Sequence, residues 1–467
     1  SFGSFGGDFG VSLLTGSVSQ KLSGGYTQSD GGTKNSDFKR RRAYYTGSYT
    51  SRYADLVWQA GLSSQDYGAS TFYSAKFDNQ WEATRRIITS AQADIKPFGD
   101  ERLVITPQAY WHRDVDHYQL TRGKEGAKNG ENYHRTDVYG ASLNAHATWL
   151  LGKTAVGMDI RKEHILSTAY GDLLPENEWK DIHGTDRRYD HRGDRTNTSL
   201  FLEHNVILGG FTLSAGVLAN RNTGLDGDFR FYPGVDLSYR PNEMWKFYAS
   251  WNKALRVPTY TDLYTSNSVQ QGDTGLRPER TSTFKAGTRF RTRGVEAVVS
   301  GFYSKGNDII DWVYETEESR KYHAMNIGKL DNMGYSVDAT LNMTELLPGS
   351  FVTRIKAGYA RIHQRHTTEQ PVYRSLYALE YLRHKATFQL DHRIWSRLSA
   401  SWAVRWQERM NHYEPYTKVD CKLQWTAPTY SLYVKADNIT NHRYYDLGGV
   451  RQPGLWIMAG GSVKIGL

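Results

Sequence analysis

The sequence predicts an all-β fold, a transmembrane antiparallel β-barrel with about twenty-one readable strands of the length a tilted membrane strand needs. Three observations predict it: apolar and polar residues alternate with period 2, short and long connections alternate along the chain, and the composition is rich in aromatics and glycine but low in hydropathy. The chain has 467 residues, with 32 Tyr, 13 Trp and 44 Gly against only 12 Pro. Mean hydropathy is −0.64. The longest apolar runs, such as VILGGF at 206–211, fall far short of the ~20 residues a spanning helix needs.

The alternation is clearest towards the end of the chain. At 398–406, Leu398, Ala400, Trp402, Val404 and Trp406 share one parity, and Ser399, Ser401, Ala403 and Arg405 take the other. Val419, Cys421, Leu423 and Trp425 alternate with Asp420, Lys422 and Gln424. Leu432, Val434 and Ala436 follow the same pattern, and a last strand sets Ile457, Ala459, Gly461, Val463, Ile465 and Leu467 on one side. Successive Cβ atoms on a strand point to opposite faces, so each strand has one greasy and one wet side.

The connections alternate as well. Short ones are GG at 209–210, RPNE at 240–243 and TAPT at 426–429. Long ones are expected at about 28–40, 65–82, 113–135, 165–194, 256–280, 306–332, 363–382 and 438–454. Tight turns at one end and long loops at the other are the pattern of an outer-membrane barrel. A propeller would show a blade repeat of roughly 40–50 residues, and none is present. In the stretch RVPTYTDLYTSNSVQQGDTGLRPERTS at 256–282, Pro258 and Pro278 remove backbone donors where the ladder ends. Arg277 and Glu279 are expected to pin the loop base.

Charge and chemistry exclude other classes. The formal net charge is +9, yet the basic residues are dispersed and the one dense cluster, Lys39–Arg42, is short, so no nucleic-acid role is expected. The single Cys421 excludes an internal disulfide and a Cys-based zinc site. Asp116/His117 and Glu163/His164 are adjacent in sequence, so on a strand their side chains diverge and make no catalytic dyad. No enzyme and no catalytic residue is expected. His112, His117, His134, His363 and His366 fall at strand ends or loops; HQRH at 363–366 could set two imidazoles on one strand face or across a turn, and reads as a solvated pair rather than a metal site. Asp30, Asp37, Asp66, Asp262 and Asp273 are too scattered for the six or more oxygens calcium takes, so no metal site is expected.

Several stretches, in order along the chain, resemble the TonB-dependent outer-membrane receptors, particularly their Bacteroidetes-type members. They are DYGASTFYSAKFDNQWEAT (66–84), LRVPTYTDLY with GLRPERT (255–264, 275–281), FYSKGNDIIDW (302–312), NIGKLDNMGYSVD (326–338), and ADNITNHRYYD with QPGLWIMAG (436–446, 452–460). The resemblance implies a 22-stranded barrel normally closed by a plug domain, which is absent from this chain. It makes residues 1–467 one outer-membrane barrel domain. SFGSFGGDFG at the start resembles the family's first extracellular loop, which places the first strand and the plug upstream of Ser1. The chain begins at Ser1 without a signal peptide, as a mature, processed or incomplete chain would. Members usually end in an aromatic, whereas this chain ends in Leu467.

Function follows from the resemblance. It implies active import of a scarce nutrient across the Gram-negative outer membrane, with the long loops extracellular and the energy supplied by the inner-membrane TonB complex acting through the missing plug. The segments FYSKGNDIIDW, GYSVDATLN and 436–446 are most similar to vitamin B12 (cobalamin) receptors. Ferric-siderophore or other metal-chelate receptors share much of the pattern. Haem receptors usually carry a His between the LRVP-like and LRPE-like motifs, and residues 257–276 contain none. A porin, with fewer strands, is the remaining rival. No cofactor is implied, the cobalamin being cargo. Outer-membrane lipid, lipopolysaccharide at the Lys39–Arg42 cluster, and a surface lipoprotein capping the barrel are the other partners implied. Ligand contacts are expected from loop aromatics, which offer stiff apolar area with a polar tip: Tyr67, Tyr73, Tyr260, Tyr264, Trp312, Tyr314, Tyr444 and Tyr445.

Overall fold

The computed structural model describes residues 1–73, 76–225, 227–379, 381–410, 414–446 and 450–466. Its frame is a 22-stranded sheet. One member is the two-residue strand Asp172–Leu173, which leaves twenty-one long strands running from Phe5–Thr15 to Trp456–Val463. Each long strand pairs antiparallel with the next one in the chain.

The sheet curls until its ends meet. The Ser1 amino group donates to the Ile457 carbonyl (2.8 Å), and Ile457 N donates back to Ser1 Oγ (3.1 Å). Phe2 packs edge-on against Trp456 at 5.1 Å. Directions alternate in an antiparallel sheet, so the first and twenty-first long strands run the same way. No ladder joins these two among the described residues.

Register explains the alternation. Trp402 faces Cys421, Val404 faces Val419, Leu423 faces Val434 and Ala436 faces Ile457. Far away along the chain, Pro107, Leu143, Met158, Leu200 and Ala219 form one continuous row across five strands. Leu143, Met158 and Leu200 are all exposed. In water such a girdle would be an adhesive surface; facing hydrocarbon it is the stable arrangement. The opposite parity carries polar pairs such as Gln59 to Ser90 (2.7 Å) and Thr106 to Asp94 (2.7 Å), which face the lumen. No helix is long and apolar enough to cross a membrane.

The lipid-facing girdle makes a testable statement about Cys421, the protein's single thiol. In intact outer membranes it will resist a charged, membrane-impermeant thiol reagent and react with a neutral, lipid-soluble one. Rapid modification by the charged reagent would turn that strand's faces around.

The structure corrects three expectations. Strands reach further than the alternation signals: they run to Ser70 and Gln119 and resume at Gln80 and Glu131. Above the lipid belt neither face is apolar, so the hydrophobic period vanishes while the backbone ladder continues. The opening SFGSFGGDFG is mostly strand rather than loop, because Phe5–Gly10 pairs with 23–28. HQRH sets its imidazoles neither on one face nor across a turn: His363 and His366 lie three apart on the strand Val352–Thr367, on opposite faces, and both are exposed, as a solvated pair would be. Leu467 lies outside the described residues.

Candidate functional site

At the long-loop end, three connections fold together into a cap. Gln270–Gln271 pairs in parallel with Tyr322–Asn326, which pairs antiparallel with Ile310–Tyr314, which pairs in turn with Arg374–Ser375. Residues from sites far apart in sequence thus make one four-stranded sheet. One side packs Leu276, Ile310, Trp312, Tyr322 and Ala324 with Leu263, Tyr314 and Leu376. The other packs Ile309, Val313, Ile327 and Leu330 with Val372 and Leu379. Short loop strands cannot stand alone in water; these persist because each buries an apolar face on another loop.

Charged groups fix the cap to the rim. Arg256, the last residue of its strand, reaches Asp262 (3.1 Å) and Glu279 (3.2 Å). Glu279 also accepts from Ile310 N at 2.9 Å. Arg277 and Arg280 both bind Asp308, at 2.8 and 2.7 Å. Burial raises the Asp308 pKa, but hydrogen bonds from Arg280 and Arg277 outweigh it and hold the carboxyl below its ordinary value. The expected pinning by Arg277 and Glu279 is therefore seen. Asp311, 1 % exposed, accepts the Ser375 hydroxyl and the backbone N–H groups of Trp312 (2.8 Å), Tyr377 (3.2 Å) and Ala378 (3.0 Å). Burial pushes its carboxyl up, against those donors.

Tyr260 and Tyr264 lie on a single helical turn, Tyr260–Tyr264, capped reciprocally by Thr259 and Asp262. Their rings stack at 6.2 Å. The Arg195 guanidinium lies 4.6 Å from the Tyr260 ring centroid and donates to the Pro258 carbonyl (2.9 Å), while also binding Glu163. Gly193 is needed there, since a Cβ would lie 2.7 Å from Tyr260 Cε1. Burial pushes the Tyr260 hydroxyl up to about 12. That oxygen is buried and has no hydrogen-bond partner among the described residues. Tyr170 joins the neighbouring loop to this one through Thr265 Oγ1 at 3.0 Å.

Tyr67 and Tyr73 come together with a residue sequence reasoning did not single out. Both hydroxyls donate to the Glu82 carboxylate, and they lie 3.3 Å apart. Tyr73 is raised far above a free phenol, first by burial and then by Glu82. Lys76 bridges this corner to the cap, donating to the Arg320 carbonyl (3.1 Å) and lying 5.5 Å from the Tyr314 ring centroid. Tyr314 stacks on Tyr322 at 4.0 Å. Trp312 is 5 % exposed within the cap core, and Tyr444 is 7 % exposed against Tyr416 (4.3 Å). Tyr445 is exposed.

Glu82, Arg195 and Tyr170 were missed because nothing local marks them, and Glu163 drew notice only as a neighbour of His164. Parity was the available signal: Tyr67 pairs with Glu82, and Glu163 with Arg195, on the lumen face. The assembly offers stacked phenols, guanidinium and carboxylate around a mouth, which suits binding. Glu163 points inward to Arg195 while His164 pairs with Asp194 (2.9 Å) on the other face, as alternation requires. His134 and Ser167 are 2.7 Å apart, but Ser167 Oγ already accepts from Ala169 N (2.9 Å) and Tyr170 N (2.7 Å), so it works as a turn cap.

The family model described as "TonB dependent receptor-like, beta-barrel" matches residues 2–439. Among solved structures of similar fold is a variant of the ferric enterobactin receptor from Pseudomonas aeruginosa, 14% identical over 98% of this chain and 78% of that one, TM-score 0.74. The FrpB iron transporter from Neisseria meningitidis is 15% identical over 98% and 78%, TM-score 0.76. The copper transporter OprC is 15% identical over 99% and 78%, TM-score 0.76. At these identities the likeness is one of fold.

Proposed function

The chain belongs to the TonB-dependent receptor β-barrel family, and from that membership we propose that it captures a metal chelate, first of all cobalamin, for import across the outer membrane. Membership places it among outer-membrane receptors, which transport rather than catalyse. The observation that carries the ligand class is the mouth itself. A large chelate with amides or hydroxyls on its rim needs broad stiff rings with polar tips. Tyr67, Tyr73, Tyr260, Tyr264, Tyr314 and Tyr445 supply them in this reading, with Trp312 and Tyr444 as buried backing.

Cobalamin is placed first on the sequence resemblance of 302–312 and 436–446. A ferric siderophore is the second reading, favoured by similarly folded structures that are a ferric enterobactin receptor and an iron transporter. In either case residues 1–467 act as one barrel domain with extracellular long loops. Energy comes from the TonB complex, outer-membrane lipid and lipopolysaccharide surround the barrel, and a surface lipoprotein caps it.

The test is binding of cyanocobalamin to the purified receptor, with ferric siderophores and haem as competitors. Saturable binding that the competitors do not displace is expected. Displacement by a ferric siderophore, with no retention of cobalamin, moves the ligand to the iron-chelate class and leaves the family assignment standing.

A further inference from the structure

Two neighbouring strands of the wall, Arg230–Tyr239 and Trp245–Arg256, part company half-way up. Their ladder joins 234–239 to 247–252 and stops. Both strands run on beyond it. Residues 230–233 stay paired to 217–220 on one side, and 253–256 stay paired to 279–282 on the other. Nowhere else among the described residues do both members of a neighbouring pair outrun their ladder by four residues. The sheet therefore forks, and half of the backbone groups on each arm turn into the gap without a ladder partner. Pro233 stands at the fork, and it has no N–H to give to a ladder. The last shared pair, Gly234 and Asn252, lies one step above the outward row of Val235, Trp251, Phe284 and Tyr303. Val235 and Phe284 are exposed in that row, and aromatic rings collect where hydrocarbon meets water. The fork thus opens just above the lipid, where water reaches the backbone; an open edge inside the hydrocarbon would not persist.

A cavity flanks the fork on each side. The outer one, of about 880 Å³, is lined by Phe231, Arg280, Ser282 and Asn307, and the lumen-side one, of about 390 Å³, by Arg161, Arg195 and Asn220. Tyr232, Lys253 and Ala254, on the two arms, line both, so the fork lies between them. The lining is basic. Arg161, Arg195, Arg230, Lys253, Arg277 and Arg280 face a single carboxylate, Asp308. Glu163 offsets Arg161 and Arg195 on the lumen side, and Arg277 and Arg280 share Asp308, with Glu369 3.9 Å from Arg277. Lys253 has no ion-pair partner among the described residues and lies beside the Trp251 ring, 5.9 Å from its centroid. Phe231, 65% exposed, adds an apolar surface at the outer entrance.

We propose that the fork is a docking slot for an extended, acidic polypeptide segment of a partner protein, which enters from outside the barrel just above the lipid and pairs through its backbone with residues 253–256. An open strand edge is a template for another chain, and strand addition supplies affinity through main-chain hydrogen bonds. Two facing arms ask for donors and acceptors repeated at strand spacing, which a polypeptide carries and a small anion does not. A strand laid between them runs antiparallel to one arm and parallel to the other. The basic lining selects acidic side chains, and Lys253 is the cation left for them. The slot stands on the outer flank of the wall, apart from the mouth, and does not depend on which chelate the mouth binds.

The experiment uses the whole chain in detergent micelles with a short, capped, fluorescent peptide of alternating Asp and Val, read by anisotropy and by amide hydrogen exchange. Saturable binding is expected. The same peptide with every second amide N-methylated loses the donors for one arm and should bind at least about tenfold more weakly. A Lys/Val peptide should not bind. Lys253→Glu should weaken the Asp/Val peptide at least about tenfold, and Lys253→Arg should retain it, which separates the charge from the fold. In the free receptor the amides of 253–256 that turn into the fork exchange quickly; the peptide should slow them at least about tenfold and leave those of 247–252 as they were. No saturable binding up to about 1 mM overturns the proposal. So does equal binding of the N-methylated peptide or displacement by free aspartate, either of which marks a simple anion site. Undiminished binding by Lys253→Glu overturns it as well, as does full protection of 253–256 in the free receptor, which would mean that the two arms are already paired.

Discussion

Asp311→Ala will release the loop after Thr367 from the strand Ile310–Tyr314 and open the cap while the barrel stays assembled. The carboxylate is sealed from water and receives one hydroxyl and three backbone N–H groups. Truncation leaves those donors without an acceptor in a site solvent does not reach. Each such orphan costs about 1–3 kcal/mol, so a local loss of about 3–5 kcal/mol is expected once partial relaxation is allowed. The apolar packing of Trp312 and Val313 beside it cannot replace a directional acceptor. Asp311→Asn keeps one acceptor oxygen and should cost roughly half as much. Limited proteolysis of the folded receptor reads this directly, as cleavage within 315–321 and 368–379. Cleavage no faster than in the unaltered protein would show that the two apolar clusters alone hold the loops together.

Tyr260→Ala with Tyr264→Ala will weaken ligand binding on whole cells by about 2 kcal/mol or more, roughly thirtyfold, the scale of losing anchoring aromatics. Tyr260 is also held by Arg195 and packs over Gly193, so its loss loosens one wall of the mouth as well as removing a ring. A single Tyr260→Phe change separates the two roles. The hydroxyl has no partner among the described residues, so its removal should leave the cap's resistance to protease unchanged or slightly improved. If Tyr260→Phe nonetheless weakens binding, the hydroxyl's partner is the ligand. If the double alanine variant binds as well as the unaltered protein, this helical turn belongs to the cap's scaffold and the contacts lie elsewhere, with Tyr67, Tyr73 and Tyr445 next in line.

Much of the barrel could be read before any coordinates, because what defines it is local. The faces of Trp402, Val404, Cys421 and Val434 follow from period 2 alone. Two-residue turns such as Gly209–Gly210, with Gly209 at φ 58, are marked by their own residues. The number of long strands and the ends carrying the long loops follow from that same alternation. The prolines and charges at 256–282 announced a pinned corner, and Arg277 with Asp308 and Arg256 with Glu279 are that pin.

What lay outside the sequence's reach involves partners far apart along the chain. Trp312 reads as an exposed loop aromatic until register with 322–326 and 374–375 buries it. Tyr67 and Tyr73 read as separate loop aromatics until Glu82 is found receiving both hydroxyls. Lys39–Arg42 reads as one basic patch until the strand Phe38–Thr50 divides it between two faces, with Arg42 paired to Asp8. The sequence by itself determined the barrel, its two faces and the end at which loops gather, since a strand's alternation is carried by residues within a few positions of one another. The tertiary structure decided which loops interlock and which charges stay unpaired. Those outcomes depend on register between segments tens of residues apart, and no local pattern specifies that register.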